Sequence, residues 1–213
     1  MLTTLRQILP KYLPAPAVEG ISGWLEEKRV KLVITRNRVS KSGDYRPPKQ
    51  SAPARIGINH SLNPYEFLIT LVHEMAHHAA WIDEQEKVKG IFLRKRSKYR
   101  PHGKEWKSCF RQMMKPYLDP GIFPSDVLFY LDQFLENPKA ATAADHELRF
   151  ILKKYDTPDG SEFVEDLPYD TVFRMPGGNF FRKKEKLRKR YRCIRLDNDQ
   201  VYLFSPAAQV FRA

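Results

Sequence analysis

Five consecutive residues, His73-Glu74-Met75-Ala76-His77, carry the densest chemistry in the sequence. Side chains four apart on a helix share a face, so the two imidazoles can turn toward one ion. Glu74, one position on from His73, projects beside them and reaches a water rather than the metal. Imidazole is a good zinc ligand, and a hydrolytic zinc site takes three protein ligands and leaves a fourth position for water. In such a site the ion polarises a carbonyl and acidifies the water, while the carboxylate takes the water's proton and hands it to the leaving amine. The chemistry indicated is peptide hydrolysis with one catalytic Zn2+, His73 and His77 as metal ligands, and Glu74 as base and then acid.

The third ligand must come from another part of the chain, which holds six histidines. His78 points away from His77 on the same helix, His60 precedes the helix start, and His146 falls in a small-residue stretch. His102 is the strongest candidate, because it sits at a loop-to-helix junction from which it can be brought across the motif helix. Glu84, Glu86 and Glu105 are the carboxylate alternatives. The residues after His77, HAAWID, lack the glycine and third histidine of a metzincin. Tyr99, Arg100 and His78 are candidates for stabilising an oxyanion. The competing reading of the motif is coincidence, with two satisfied core histidines and a glutamate falling on one helix.

These residues need a rigid helix, and the sequence signals one. Asn63 can accept from an exposed backbone N–H, Pro64 suits the first helical position, and Glu66 can reach back to complete a capping box. The helix is expected over 64–83, with Phe67, Leu68, Leu71, Val72, Met75, Ala76 and Ala79 giving the broad apolar face of a central element. Upstream, Val18, Ile21, Trp24 and Leu25 mark an amphipathic helix over Val18–Lys28, and Val30–Thr35 reads as a strand. Residues Arg36–Pro53 form an excursion or hairpin loop. Arg55–Asn59 is a second strand, either plain scaffold or an open edge on which an extended peptide could pair. Downstream, Trp106, Cys109, Phe110 and Met113 recur at helical steps after His102-Gly103, Pro116 and Pro120 close that helix, and Asp126–Glu136 is another.

At residues 138–146 the chain becomes rich in small residues and reads as a connector. Beyond it, Leu148–Tyr155, Thr171–Met175, Phe180–Arg182, Arg188–Leu196 and Val201–Phe204 are short β-prone runs. Turns at Asp159-Gly160, Gly177-Gly178 and Asp197-Asn198 suggest a small antiparallel sheet. The fold class is α+β: a metal-site domain over 1–137, a connector over 138–146 and a small basic β module over 147–213.

A chain of 213 residues with 42% hydrophobic and 29% charged residues fits one globular domain plus a small module. Cys109 and Cys193 alone provide neither a disulfide framework nor a cysteine-rich zinc module. Pro10, Pro14 and Pro16 interrupt the N-terminal apolar pattern, so no signal peptide is visible, and no apolar run approaches the ~20 residues that span a bilayer. A soluble cytoplasmic monomer without a membrane partner is the expectation. The formal charge is +12, with 37 lysines and arginines against 25 acids, which favours polyanionic partners. Arg94, Lys95, Arg96, Lys98, Arg100 and Lys104 surround His102. A second cluster, Arg182, Lys183, Lys184, Lys186, Arg188, Lys189, Arg190 and Arg192, is interleaved with Phe180, Phe181 and Tyr191, which could stack on unpaired bases. The alternative for this cluster is a solvated basic hairpin whose aromatic residues turn to a small core. Phosphate contacts of this kind give salt-sensitive binding of DNA, single-stranded or nicked, without sequence preference.

The segments LVHEMAHHAAW and PHGKEWK, the second with Trp106 three residues after its glycine, resemble the SprT-like metallopeptidases, relatives of the Spartan-type DNA–protein crosslink proteases. The resemblance covers Val18 to Tyr117. It implies a compact zincin-like domain, His73, His77 and His102 as zinc ligands, Glu74 as the catalytic residue, and DNA-dependent cleavage of proteins attached to DNA. Many such proteins carry a C-terminal zinc ribbon with two cysteine pairs. Here only Cys193 falls in that region, so a ribbon-like sheet without its metal is expected. Two other functions remain open from the sequence: a basic nucleic-acid-binding protein with a non-catalytic metal site, and a zinc peptidase acting on free proteins.

Overall fold

The computed structural model describes residues 4–38, 41–89, 100–138 and 145–213. The chain divides into two compact units, Met1–Asp156 and Thr157–Ala213. In the first, a short helix α1 (Leu5–Ile8) precedes α2 (Val18–Glu27), and strands β1 (Lys31–Thr35), β2 (Gly43–Arg46) and β3 (Arg55–Asn59) form a sheet in the order β1-β3-β2. β1 runs parallel and β2 antiparallel to β3. β3 is therefore the central strand, paired on both sides, so of the two readings of Arg55–Asn59 the plain scaffold strand holds and the open edge does not. The sheet's edge near the motif helix is β2, which emerged from a stretch read only as an excursion or hairpin loop.

Helix α3 (Pro64–Lys89) lies against β2 and β3. Asn63 starts it as expected, its Oδ1 accepting from the backbone N–H groups of Tyr65 at 3.1 Å and Glu66 at 2.9 Å. The Glu66 carboxylate accepts instead from Ser42, so the reciprocal half of a capping box is replaced by a tie to the segment before β2. The helix runs past Asp83 because Glu84-Gln85-Glu86-Lys87 are good helix formers. Phe67, Leu68, Ile69, Leu71, Val72, Met75 and Ala76 are fully or almost fully buried, which makes α3 the axis of the core. α4 (Lys104–Met114) packs along it with Trp106, Phe110 and Met114, and α5 (Ser125–Glu136) adds Val127 and Leu131.

Residues Leu148–Tyr155 are not β-structured. Leu148–Lys153 belong to helix α6 (His146–Lys153), whose N-cap Asp145 accepts from the Leu148 N–H at 3.1 Å, and Lys154 and Tyr155 form the turn that ends it. Leu148 and Leu152, four apart, enter the first unit's core, and Asn63 Nδ2 donates to the Leu152 carbonyl at 3.0 Å. The division between units therefore falls after α6, later than the expected connector at 138–146, of which residues 139–144 lie outside the described ones.

The second unit is an antiparallel sheet of six strands, β4 (Glu162–Phe163), β5 (Val172–Arg174), β6 (Phe180–Lys186), β7 (Tyr191–Arg195), β8 (Val201–Phe204) and β9 (Gln209–Arg212), in the order β4-β9-β5-β6-β7-β8. Phe173, Phe181, Tyr191, Cys193 and Val210 form its core. Buried among them is one cation, Lys183. Its Nζ donates to the carbonyls of Glu165, at 3.1 Å, and Leu167, and stands 4.1 Å over the Tyr191 ring. β8 is an edge strand with Val201 51% and Leu203 49% exposed. Among the described residues no helix is long and apolar enough to cross a membrane.

Candidate metal centre

Helical spacing places His73 and His77 one turn apart on α3, and the turn before α4 brings His102 to them. His102 Nε2 lies 3.2 Å from Nε2 of His73 and 3.0 Å from Nε2 of His77. A single imidazole nitrogen carries at most one proton, so His102 Nε2 cannot satisfy both neighbours by hydrogen bonding. Together they form a group that could hold a metal ion, with His73 and His77 buried and His102 half-buried. Glu84, Glu86 and Glu105 are not part of it. His102 adopts a left-handed backbone, φ 62°, a conformation that costs a non-glycine residue energy and is held only where the surroundings impose it.

Trp106 forms the wall behind the imidazoles. It is fully buried, its ring centroid lies 4.5 Å from that of His73, 5.3 Å from His77 and 4.8 Å from His102, and its Nε1 donates to the His73 carbonyl at 3.3 Å. It follows His102 by four residues, so the helix that begins just after the third imidazole carries the ring packed behind it. Burial, then the neighbouring imidazoles, pushes His73 well below the ordinary histidine range, and burial and His102 push His77 down to about 3. Burial lowers His102 as well. All three rings are thereby held in the neutral form that ligates metals.

Glu74 is 7% exposed beside the group. Burial, then the Asp44 carboxylate, raises it to about 8, while Arg38, Lys41 and the backbone N–H of Tyr45 pull the other way. A dication held by the imidazoles would favour the ionised form. Edge strand β2 provides its seat. A Cβ on Gly43 would stand 2.8 Å from Glu74 Oε1 and 2.8 Å from Thr70 Cγ2, so only glycine lets the strand approach this closely. Asp44 pins β2 through ion pairs with Arg38 and, at 3.2 Å, Arg46, and Arg38 Nε also donates to Asn59 on β3 at 2.8 Å. Gly43, Asp44 and Arg38 were missed in the sequence; a glycine inside an otherwise polar loop was the available signal.

Of the oxyanion candidates, His78 is not part of the imidazole group, and its Nδ1 lies 3.1 Å from Tyr45 Oη. Arg100 is exposed at the turn into α4, and Tyr99 lies outside the described residues. His60 pairs with Asn37 and His146 opens α6.

The expected nucleic-acid residues divide sharply. Arg94, Lys95, Arg96 and Lys98 lie outside the described residues, while Arg100 and Lys104 are exposed close to His102 in the chain. In the second unit Lys183 is 3% exposed and committed to its own fold, so it is removed from the set. Phe181 and Tyr191 are core residues and do not offer faces for stacking; Phe180, 45% exposed, remains outside. Lys184, Lys186 and Arg192 are ion-paired with Asp170, Glu165 and Glu185. Arg182, Arg188, Lys189 and Arg190 are exposed. Alternation along β6 explains the split: neighbouring residues point to opposite faces, so a run of cations cannot all face solvent.

The chain matches no family model, no curated protein and no solved structure.

Proposed function

We propose that this chain is a zinc-dependent endopeptidase of the SprT-like kind, and that its substrates are proteins bound or crosslinked to DNA. One observation carries the reading: three imidazole Nε2 atoms meet at 3.0 and 3.2 Å with a buried carboxylate beside them. A tetrahedral zinc ion at its usual ~2.0–2.1 Å from each nitrogen sets the nitrogens ~3.3 Å apart, close to the spacing found. When bound, zinc would supply a Lewis acid for the scissile carbonyl and a more acidic water.

The protein residues have separate tasks. Glu74 accepts the proton of the attacking water and returns it to the leaving amine. The Tyr45 N–H and the close approach of Gly43 fix its carboxylate, and Trp106 keeps solvent from the back of the imidazoles. Exposed Arg100 and Lys104 favour the DNA half of the reading near the metal centre. Arg182, Arg188, Lys189 and Arg190 favour it in the second unit.

The test combines metal content with cleavage. The purified protein is expected to hold about one zinc, and Glu74→Gln to keep it while losing cleavage of an unfolded protein by about 10²–10⁴-fold. Loss of zinc in Glu74→Gln, or undiminished cleavage, would reject the assignment. Single-stranded DNA is expected to stimulate cleavage at low salt and not at high salt. Equal rates with and without DNA at low salt reduce the function to peptidase action on free proteins.

A further inference from the structure

A cavity of about 560 Å³ opens in the first unit, between the C-terminal end of α2, the loop from β2 to β3 and the flank of α3. Its size is that of a small-molecule or side-chain pocket, ~300–1,000 Å³. The walls are apolar: Trp24, Pro48, Pro53, Ala54, Ala79 and Ile82. Two of these are prolines, whose fixed φ makes the loop wall stiff. Two acidic residues, Glu27 and Asp83, and two basic ones, Lys28 and Arg29, complete the lining.

His78 joins this cavity to the metal centre. It follows the ligand His77 in the chain and lines the cavity, with the Trp24 ring edge-on at 5.6 Å. Its Nδ1 meets Tyr45 Oη at 3.1 Å, and the Tyr45 ring lies parallel to His77 at 6.5 Å. Strand β2 connects the same two places along the chain, from Gly43 beside Glu74 to the loop that carries Pro48. A peptide lying along β2 would run from the metal centre toward the loop that carries Pro48 and Pro53.

We infer that this cavity receives a bulky apolar side chain of the peptide substrate, an aromatic one above all, and so selects the bond that is cut. The inference rests on the peptidase reading. An aromatic ring gains both burial and an edge-to-face partner in Trp24, whereas a charged side chain would lose its hydration against the apolar walls.

The experiment uses the zinc-loaded full chain and short Gly/Ser peptides that carry a single Phe, or Gly at the same position, moved through the sequence. One register of Phe is expected to raise kcat/KM at least about tenfold over Gly. Ala79→Trp, which fills the cavity, and Trp24→Ala, which removes its aromatic wall, are both expected to bring the Phe/Gly ratio toward one. A wild type that cleaves these peptides with no preference overturns the inference and leaves the peptidase reading intact. So does a preference that neither variant changes. If no peptide is cleaved, the peptidase reading fails, and binding of the same peptides is measured by fluorescence anisotropy. Phe-selective binding that Ala79→Trp abolishes keeps the cavity as an aromatic side-chain site; equal binding of Phe and Gly peptides overturns it.

Discussion

Both units bury basic nitrogen, and they resolve it in opposite ways. In the second unit the Lys183 ammonium has two backbone carbonyls and the Tyr191 ring around it, so the fold answers its own buried charge. In the first, the Nε2 atoms of His73 and His77 lie 3.2 and 3.0 Å from that of His102, with the Trp106 ring packed against all three rings. Burial of a polar group is thus a weak sign of function by itself. The informative sign is where its lone pairs and protons point.

The contrast can be broken most severely at Trp106. Trp106→Ala is expected to lower the stability of the first unit by about 3–5 kcal/mol, read by urea denaturation of the apo-protein, because it empties the space behind all three rings. Unchanged stability would mean that the imidazoles hold their places without it. His102→Ala sharpens the same comparison from the ligand side. Zinc affinity, measured by chelator competition, is expected to fall at least about 100-fold, which is about 2.7 kcal/mol. Apo stability should hardly move, since the His102 ring is only half-buried. Retained affinity would pass the third position to a carboxylate such as Glu105.

Lys183→Met reverses the logic. It leaves two carbonyls buried without a donor, and a loss of about 1–3 kcal/mol is expected in the unfolding of the second unit, with zinc content untouched. The smallest effect concerns Glu66. Burial and then Asp156 raise it from 4.5 to about 7, against the opposing pull of Arg149, Ser42 and Lys153. The folded state therefore holds its proton more tightly than the unfolded chain. The associated stability is complete below pH 4.5 and drains away as pH rises through about 7. Glu66→Gln is expected to remove this decline, read as a flatter slope of thermal stability against pH. An unchanged slope would place the titration elsewhere.

Much of this was legible in the residues. The cap at Asn63, the apolar face of α3 and the strand Arg55–Asn59 are local signals, and the fold keeps them. The grouping of His102 with the motif follows from residue chemistry alone, since few other donors were free to serve. What escaped reading depends on partners distant in sequence. β2 has little apolar pattern and is a strand because β3 pairs with it. Leu148 to Tyr155 looked β-prone through its apolar content, yet the cap at Asp145 and the four-residue step to Leu152 were the better guides. Lys183 hid in a run of cations, and only the alternation of β6, fixed by its pairing with β7, shows that it faces inward.

The edge strand β8 carries a cost for handling. Its outward backbone groups and its half-exposed Val201 and Leu203 are a template on which another copy can lay a strand. At low ionic strength the +12 charge holds copies apart. Added salt shortens the reach of that repulsion to about 10 Å at 0.1 M, while backbone pairing and apolar contact persist. Concentrated solutions of this protein are therefore expected to cloud on salting, in a range where many proteins become more soluble.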